Sequence, residues 1–191
     1  MGTPQEILNF WINDVGEAGW YKADDAVDQE IIKRFQAVWQ EARAGQLNHW
    51  ACGPEHCLAY LVLTDQFSRN MFRGQPQAFE TDALARRLAY RAVANDWDQK
   101  FSGPERQFFY VPMMHSEYLP DQERAVRWVM LRSGTQDDLL HVRAHREVIR
   151  TFSRFPYRNA ALGRDVTAKE QDYLDAGGYA YTVQTLQAQQ K

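Results

Sequence analysis

The chain has 191 residues, 22 of them basic and 25 acidic, for a formal charge of −3, and 45% of it is hydrophobic. That apolar share excludes a disordered chain, and the mildly acidic balance argues against general nucleic-acid binding. The longest apolar run, Cys57 to Leu63, falls far short of the ~20 residues a membrane span needs.

The N-terminal Met-Gly-Thr-Pro-Gln-Glu has neither the basic nor the apolar region of a signal peptide, so a cytoplasmic protein is expected. The length suits one domain covering residues 1–191. Thr3-Pro4-Gln5-Glu6 reads as a capping box with proline at the first helical position. A helix from Asp25 to Ala44 follows, with Val27, Ile31, Phe35, Val38 and Ala42 as its apolar stripe and Gly45 as its stop. Further helices are predicted over Pro54–Phe67, Asp82–Asn95, Pro104–His115, Pro120–Arg132 and Asp137–Phe155. Ser102-Gly103-Pro104-Glu105 and Thr167-Ala168-Lys169-Glu170 repeat the capping pattern, Pro112 should kink or end its helix, and Gly177-Gly178 should close the last one. No period-two run has turn signals on both sides, so no strand is expected. About eight helices with short links make an all-α fold of stacked antiparallel pairs or a bundle.

Seventeen of the basic residues are Arg and five are Lys, a bias toward planar, bidentate pairing. Asp65, Arg69 and Arg73 share one helical edge at spacings of four, with Asn70 beside them. Arg146, Arg150 and Arg154 repeat that spacing with like charge, in a stretch that also holds His141, His145 and Arg158. Such a strip needs neutralising, by carboxylates such as Asp65, Asp82 or Glu117 or by a bound anion. Phe67-Ser68-Arg69 through Arg73-Gly74 and Phe152-Ser153-Arg154 through Arg158-Asn159 share the pattern F-S-R-x-x-(aromatic)-R. Each reads as a helix end carrying two Arg into a turn that closes on a residue tolerant of positive φ. His115-Ser116-Glu117 offers an imidazole beside a carboxylate. His49, Cys52, His56 and Cys57 could ligate a metal, but they lack a second, distant ligand pair, so no metal and no cofactor is expected. Phosphate-loop, dinucleotide and zincin motifs do not occur.

Asp65 to Gly74, with Ala78-Phe79 and Asp82, together with Tyr110 to Glu117, Phe152 to Asn159, Leu162-Gly163-Arg164 and Thr167-x-x-Glu170, resemble the signature blocks of the bacterial domain of unknown function 924 family. The chain departs from that pattern in having Ser68 for proline, Ser153 for glycine and Tyr157 for histidine. The resemblance implies an all-α, tetratricopeptide-like helical repeat and supplies no activity. The residues alone suggest a small anionic ligand or acidic peptide on an Arg-rich concave face, held by Arg69, Asn70, Arg73, Tyr110, His115, Glu117, His145, Arg154, Tyr157, Arg158 and Asn159. Two alternatives stand beside it. One is a hydrolase or lyase with His115 as base, oriented by Glu117 or Asp65; the other is a purely structural role for the Arg motifs. Neither nucleic acid nor membrane is an expected partner.

Overall fold

A computed structural model describes residues 2–133 and 135–189; Met1, Gly134, Gln190 and Lys191 lie outside it. The described residues are all-helical, without a strand, in about ten helices, as the sequence pattern predicts. None of their helices is long and apolar enough to cross a membrane. The chain divides into two compact units, residues 1–112 and 113–191.

In the first unit, α1 (Pro4–Leu8) starts on the predicted capping box: Glu6 N–H donates to Thr3 Oγ1, and Thr3 N–H to Glu6 Oε2 at 2.7 Å. It widens into π turns over Asn9–Val15 and stops at Gly16, where φ is +67°. Helix α2 (Asp25–Arg43) is capped by Asp24, buries Ile31, Phe35, Val38, Trp39 and Ala42, and ends at Gly45 with φ +76°. The predicted helix over Pro54–Phe67 is present, beginning as α3 (Pro54–Leu61). It opens into π turns over Val62–Phe67 and then resumes as α4 (Ser68–Met71). Every residue from Val62 to Phe67 is buried, as are Cys57 to Leu61 before them.

The carbonyl of Thr64 inside those wide turns accepts from Ser68 Oγ at 2.9 Å and Thr81 Oγ1 at 2.5 Å, while Trp39 Nε1 donates to Ser68 Oγ at 2.7 Å. Ser68 is thus a buried hydrogen-bonding hub. Phe67 lies at the centre of the core, with ring centroids 5.0 Å from Phe35, 5.4 Å from Trp11 and 6.1 Å from Phe10. Helix α5 (Asp82–Ala94) packs on α3.

The predicted helix Pro104–His115 is absent. Pro104–Phe109 forms tight 3₁₀ turns from Gly103 with no side-chain cap, so Ser102 does not cap it, and α6 (Val111–Met114) is one turn long with Pro112 in its start. Phe108, Phe109, Tyr110 and Val111 are all buried, and Pro112 has no N–H to extend a helix through them.

The second unit packs α8 (Gln136–Phe152) against α7 (Leu119–Trp128) and a C-terminal helix, α10 (Tyr179–Ala188). Thr135 caps α8, and Ser153 ends it in the left-handed region at φ +59°. The helix stops there, short of the predicted Phe155, because Phe155 precedes Pro156 and is held extended. Thr167 and Glu170 form the predicted capping box of α9 (Ala168–Asp175). Gly177 and Gly178, at φ +109° and +57°, do not close the last helix; they turn the chain from α9 into α10. Val148, Ile149, Phe155 and Tyr173 form a core, with Phe152 and Leu174 against it.

Candidate functional site

In the first unit the polar motif is consumed locally. Both terminal nitrogens of Arg69 donate to Asp82 at 3.0 Å, Nη1 also reaches Asp65 O at 2.8 Å, and the buried Asp65 carboxylate lies 3.3 Å away. Arg73 and Asn70 converge on Asp28: Arg73 Nη2 and Asn70 Nδ2 donate to Asp28 Oδ1 at 3.0 and 2.7 Å, and Arg73 Nε donates to Oδ2. The hydrogen bond to Asp28 is the main reason the Arg73 guanidinium holds its proton more tightly than usual. The partner is a buried aspartate on α2, 42 residues before Asn70 and invisible to local spacing. Tyr110 also belongs to this unit; it is buried, and its hydroxyl donates to the fully buried Asp98 at 2.8 Å.

In the second unit, neutralising carboxylates are supplied by acids that spacing did not name. Arg146 and Arg150 share Glu123 on α7, at 3.4 and 2.7 Å. Arg154 forks onto Glu170 at 2.6 and 2.8 Å and donates to Asp165 O. That fork, with the Thr167 N–H, holds the Glu170 carboxyl far below the usual carboxylate range. The signal for Glu170 was present, but only as a capping residue; one carboxylate serves both duties. Asn159 is buried and its Nδ2 donates to Glu170 at 3.4 Å. Its φ is −58°, so the positive-φ residue of this motif is Ser153 and not Asn159; in the first motif it is Gly74 at +74°, as the pattern suggests.

Glu117 is held from three directions: by Arg164 Nη1 at 2.7 Å, Arg164 Nη2 at 2.9 Å and the Phe155 N–H at 2.8 Å. Burial would raise its pKa, but these hydrogen bonds and the charges of Arg164 and Arg158 outweigh that and lower it. Arg158 is buried; its Nη1 donates to His115 O at 3.0 Å, and its guanidinium lies 4.4 Å over the Phe155 ring.

Around Phe155 gathers a cluster of imidazoles and phenols. His145 meets Phe155 edge-on at 5.8 Å, His115 at 5.8 Å and Tyr179 at 4.6 Å, measured between ring centroids. The half-exposed Tyr157 stacks on Phe155 at 5.3 Å. His141 Nδ1 is 2.8 Å from Tyr179 Oη. Burial first, then the charges of His115, Arg158 and His141, drive the His145 pKa down to about 3, so the ring is neutral at any ordinary pH. His141 and Tyr179 were not among the predicted site residues. His141 stands four residues before His145, on the same face of α8, and that spacing was a usable signal.

Cys52 is exposed, with Sγ 3.6 Å from His56 Nδ1, and Cys57 is buried, its thiol pushed up to about 12 by desolvation. Among the described residues no group of three His, Cys, Asp or Glu side chains is placed to hold a metal.

The family model described as a bacterial protein of unknown function, DUF924, matches residues 7–178. The chain belongs to this family. A solved structure of a protein of unknown function from Agrobacterium tumefaciens, ATU0120, is similar to it at 36% identity and a TM-score of 0.86, over 91% of this chain and 97% of that one. No curated protein matches. In this member of the DUF924 family, Tyr157 stands beside the imidazole cluster, against Phe155 and Tyr179.

Proposed function

We propose that the protein binds a small anion, a carboxylate or a phosphate, at the patch formed in the second unit by His115, His145, Tyr157, Arg158 and Tyr179. The observation that carries this reading is the gathering of rings around Phe155: His145 lies 5.8 Å from it and from His115 and 4.6 Å from Tyr179, with the Arg158 guanidinium 4.4 Å over the Phe155 ring. Aromatic walls at Phe155, Tyr157 and Tyr179 fit the usual lining of a small-ligand site. Arg69, Arg73 and Arg154 take the structural role in this reading, because carboxylates hold each of them in forked or converging pairs. Glu117 belongs with them, since its hydrogen bonds go to Arg164 and the Phe155 N–H. Two free thiols suit a reducing, cytoplasmic setting.

Calorimetric titration of the whole protein with phosphate, sulfate, acetate and glycolate tests the reading. Saturable binding that weakens in Arg158→Lys, with the apo melting temperature little changed, is expected. Absence of binding by all four anions overturns it. Direct titration is needed because excluded salts such as sulfate raise melting temperatures without binding.

A further inference from the structure

The first unit holds a cavity of about 490 Å³, within the roughly 300–1,000 Å³ of small-ligand sites. Three segments bound it: the π turns after α1, the loop from Gly16 to Lys22, and the first turns of α2. Phe10, Val15 and Val27 give it an apolar lining, and Phe10 is itself packed against the Phe35 and Phe67 rings at 5.6 and 6.1 Å. The loop that forms one wall is fastened to the unit. Trp20 Nε1 donates to Trp11 O at 2.7 Å, the Trp20 ring meets Phe108 edge-on at 4.8 Å, and the Tyr21 hydroxyl donates to Gln107 Oε1. Gly19 lies so close to Val15 that a Cβ there would come within 2.8 Å of Val15 Cγ1.

Three carboxylates and one ammonium also line the cavity: Asp14, Asp24, Glu30 and Lys22. Asp24 Oδ1 is occupied in capping α2, where it accepts from the Ala26 and Val27 N–H groups. Glu30 has loose ion pairs, with Lys33 at 3.6 Å and Arg34 at 4.0 Å. Among the described residues, Asp14 and Lys22 make neither a side-chain hydrogen bond nor an ion pair. Counting Arg34, whose guanidinium lies 4.8 Å over the Phe10 ring, the acids still outnumber the bases by three to two.

We infer that this cavity binds a small primary amine with an apolar body, its ammonium toward Asp14 and Glu30 and its body against Phe10, Val15 and Val27. An ammonium has only donors and a positive charge, and the carboxylates supply both acceptors and the opposite charge. A neutral molecule of the same shape gains the apolar contact alone, and a carboxylate meets three like charges for the one Lys22. Lys22 opposes the bound ammonium, so the natural affinity is held below what the acids alone would give.

The test titrates phenethylamine, phenethyl alcohol and hydrocinnamate into the ¹⁵N-labelled whole protein at low salt and near neutral pH, following the amide resonances of Val15, Gly19 and Lys22. Saturable shifts at these amides are expected, with the amine bound about fivefold more tightly than the alcohol and the carboxylate weakest. Asp14→Asn should remove much of that preference, and Lys22→Glu should tighten the amine about fivefold. Both side chains are exposed, so neither change disturbs the fold. Equal affinity for amine and alcohol, tighter binding of hydrocinnamate, shifts confined to other amides, or no saturation at millimolar amine overturns the inference. So does a Lys22→Glu variant that binds the amine no more tightly, or an Asp14→Asn variant that keeps the full preference.

Discussion

The segments Phe67–Gly74 and Phe152–Asn159 spell the same pattern, yet the structure gives their arginines different surroundings. In the first, Arg69 and Arg73 are drawn onto carboxylates from other elements, Asp82 and Asp28, and Phe67 is the centre of an aromatic core. In the second, Arg154 is spent the same way on Glu170, but Arg158 lies over an aromatic ring and donates to the His115 carbonyl, beside a cluster of imidazoles. The serines differ as well. Ser68 sits inside a helical run as a buried hydrogen-bonding hub, and Ser153 breaks its helix in the left-handed region. The lesson is that a motif fixes which groups are presented, and the elements packed around it decide what each of them meets.

The sharpest way to break the comparison is to truncate the first residue of each motif. Phe67→Ala should cost about 3–5 kcal/mol, since its ring is fully buried among three others. Phe152→Ala, at the half-buried edge of its core, should cost well under half of that in chemical denaturation.

Acid comes next. Unfolded histidine takes up its proton at about pH 6.5, whereas folded His145 does so only at about 3. Between those values the unfolded state holds a proton that the folded state refuses, so stability is fully present above the window and falls with pH through it. The lowered Glu117 carboxyl adds a loss in the same direction, beginning as pH drops below the unfolded carboxylate value of about 4.3. The midpoint of urea denaturation should therefore fall from about pH 6.5 downward, and His145→Phe should flatten the upper part of that fall. A wild-type profile flat down to the carboxylate range would break this account.

Third, Asp28→Asn removes the charge on which Arg73 and Asn70 converge. A loss of about 1–2 kcal/mol is expected, moderated because the Arg73 side chain is 45% exposed and can turn to water. The equilibrium midpoint in urea reads it. The smallest expected effect separates the two motifs by ligand: Arg158→Lys should weaken phosphate or glycolate binding about tenfold, whereas Arg69→Lys should leave the dissociation constant unchanged.

Much of the helical plan was legible because it is written in local chemistry. The capping boxes at Thr3 and Thr167, the stripe of α2, and the stop at Gly45 each involve residues within one or two turns, whose geometry follows from the backbone alone. The departures are local: Phe108 to Val111 lie in tight turns just before Pro112 where a helix was predicted, and the predicted helix over Pro54–Phe67 widens from Val62 on.

The site divides along the same line. That the Arg-rich stretch of α8 needed partners followed from like charges at spacings of four. That those partners are Glu123 and Glu170, that Asp28 takes Arg73, and that Tyr179 comes back to His141 and His145 are long-range facts. The sequence by itself determined the helices, their caps and the stock of charged and aromatic groups, because each depends on neighbours a few residues apart. Only the tertiary structure decided which charges meet and which rings gather around Phe155. Hydrogen bonds and desolvation act over a few ångströms of space, and no spacing along the chain measures that distance.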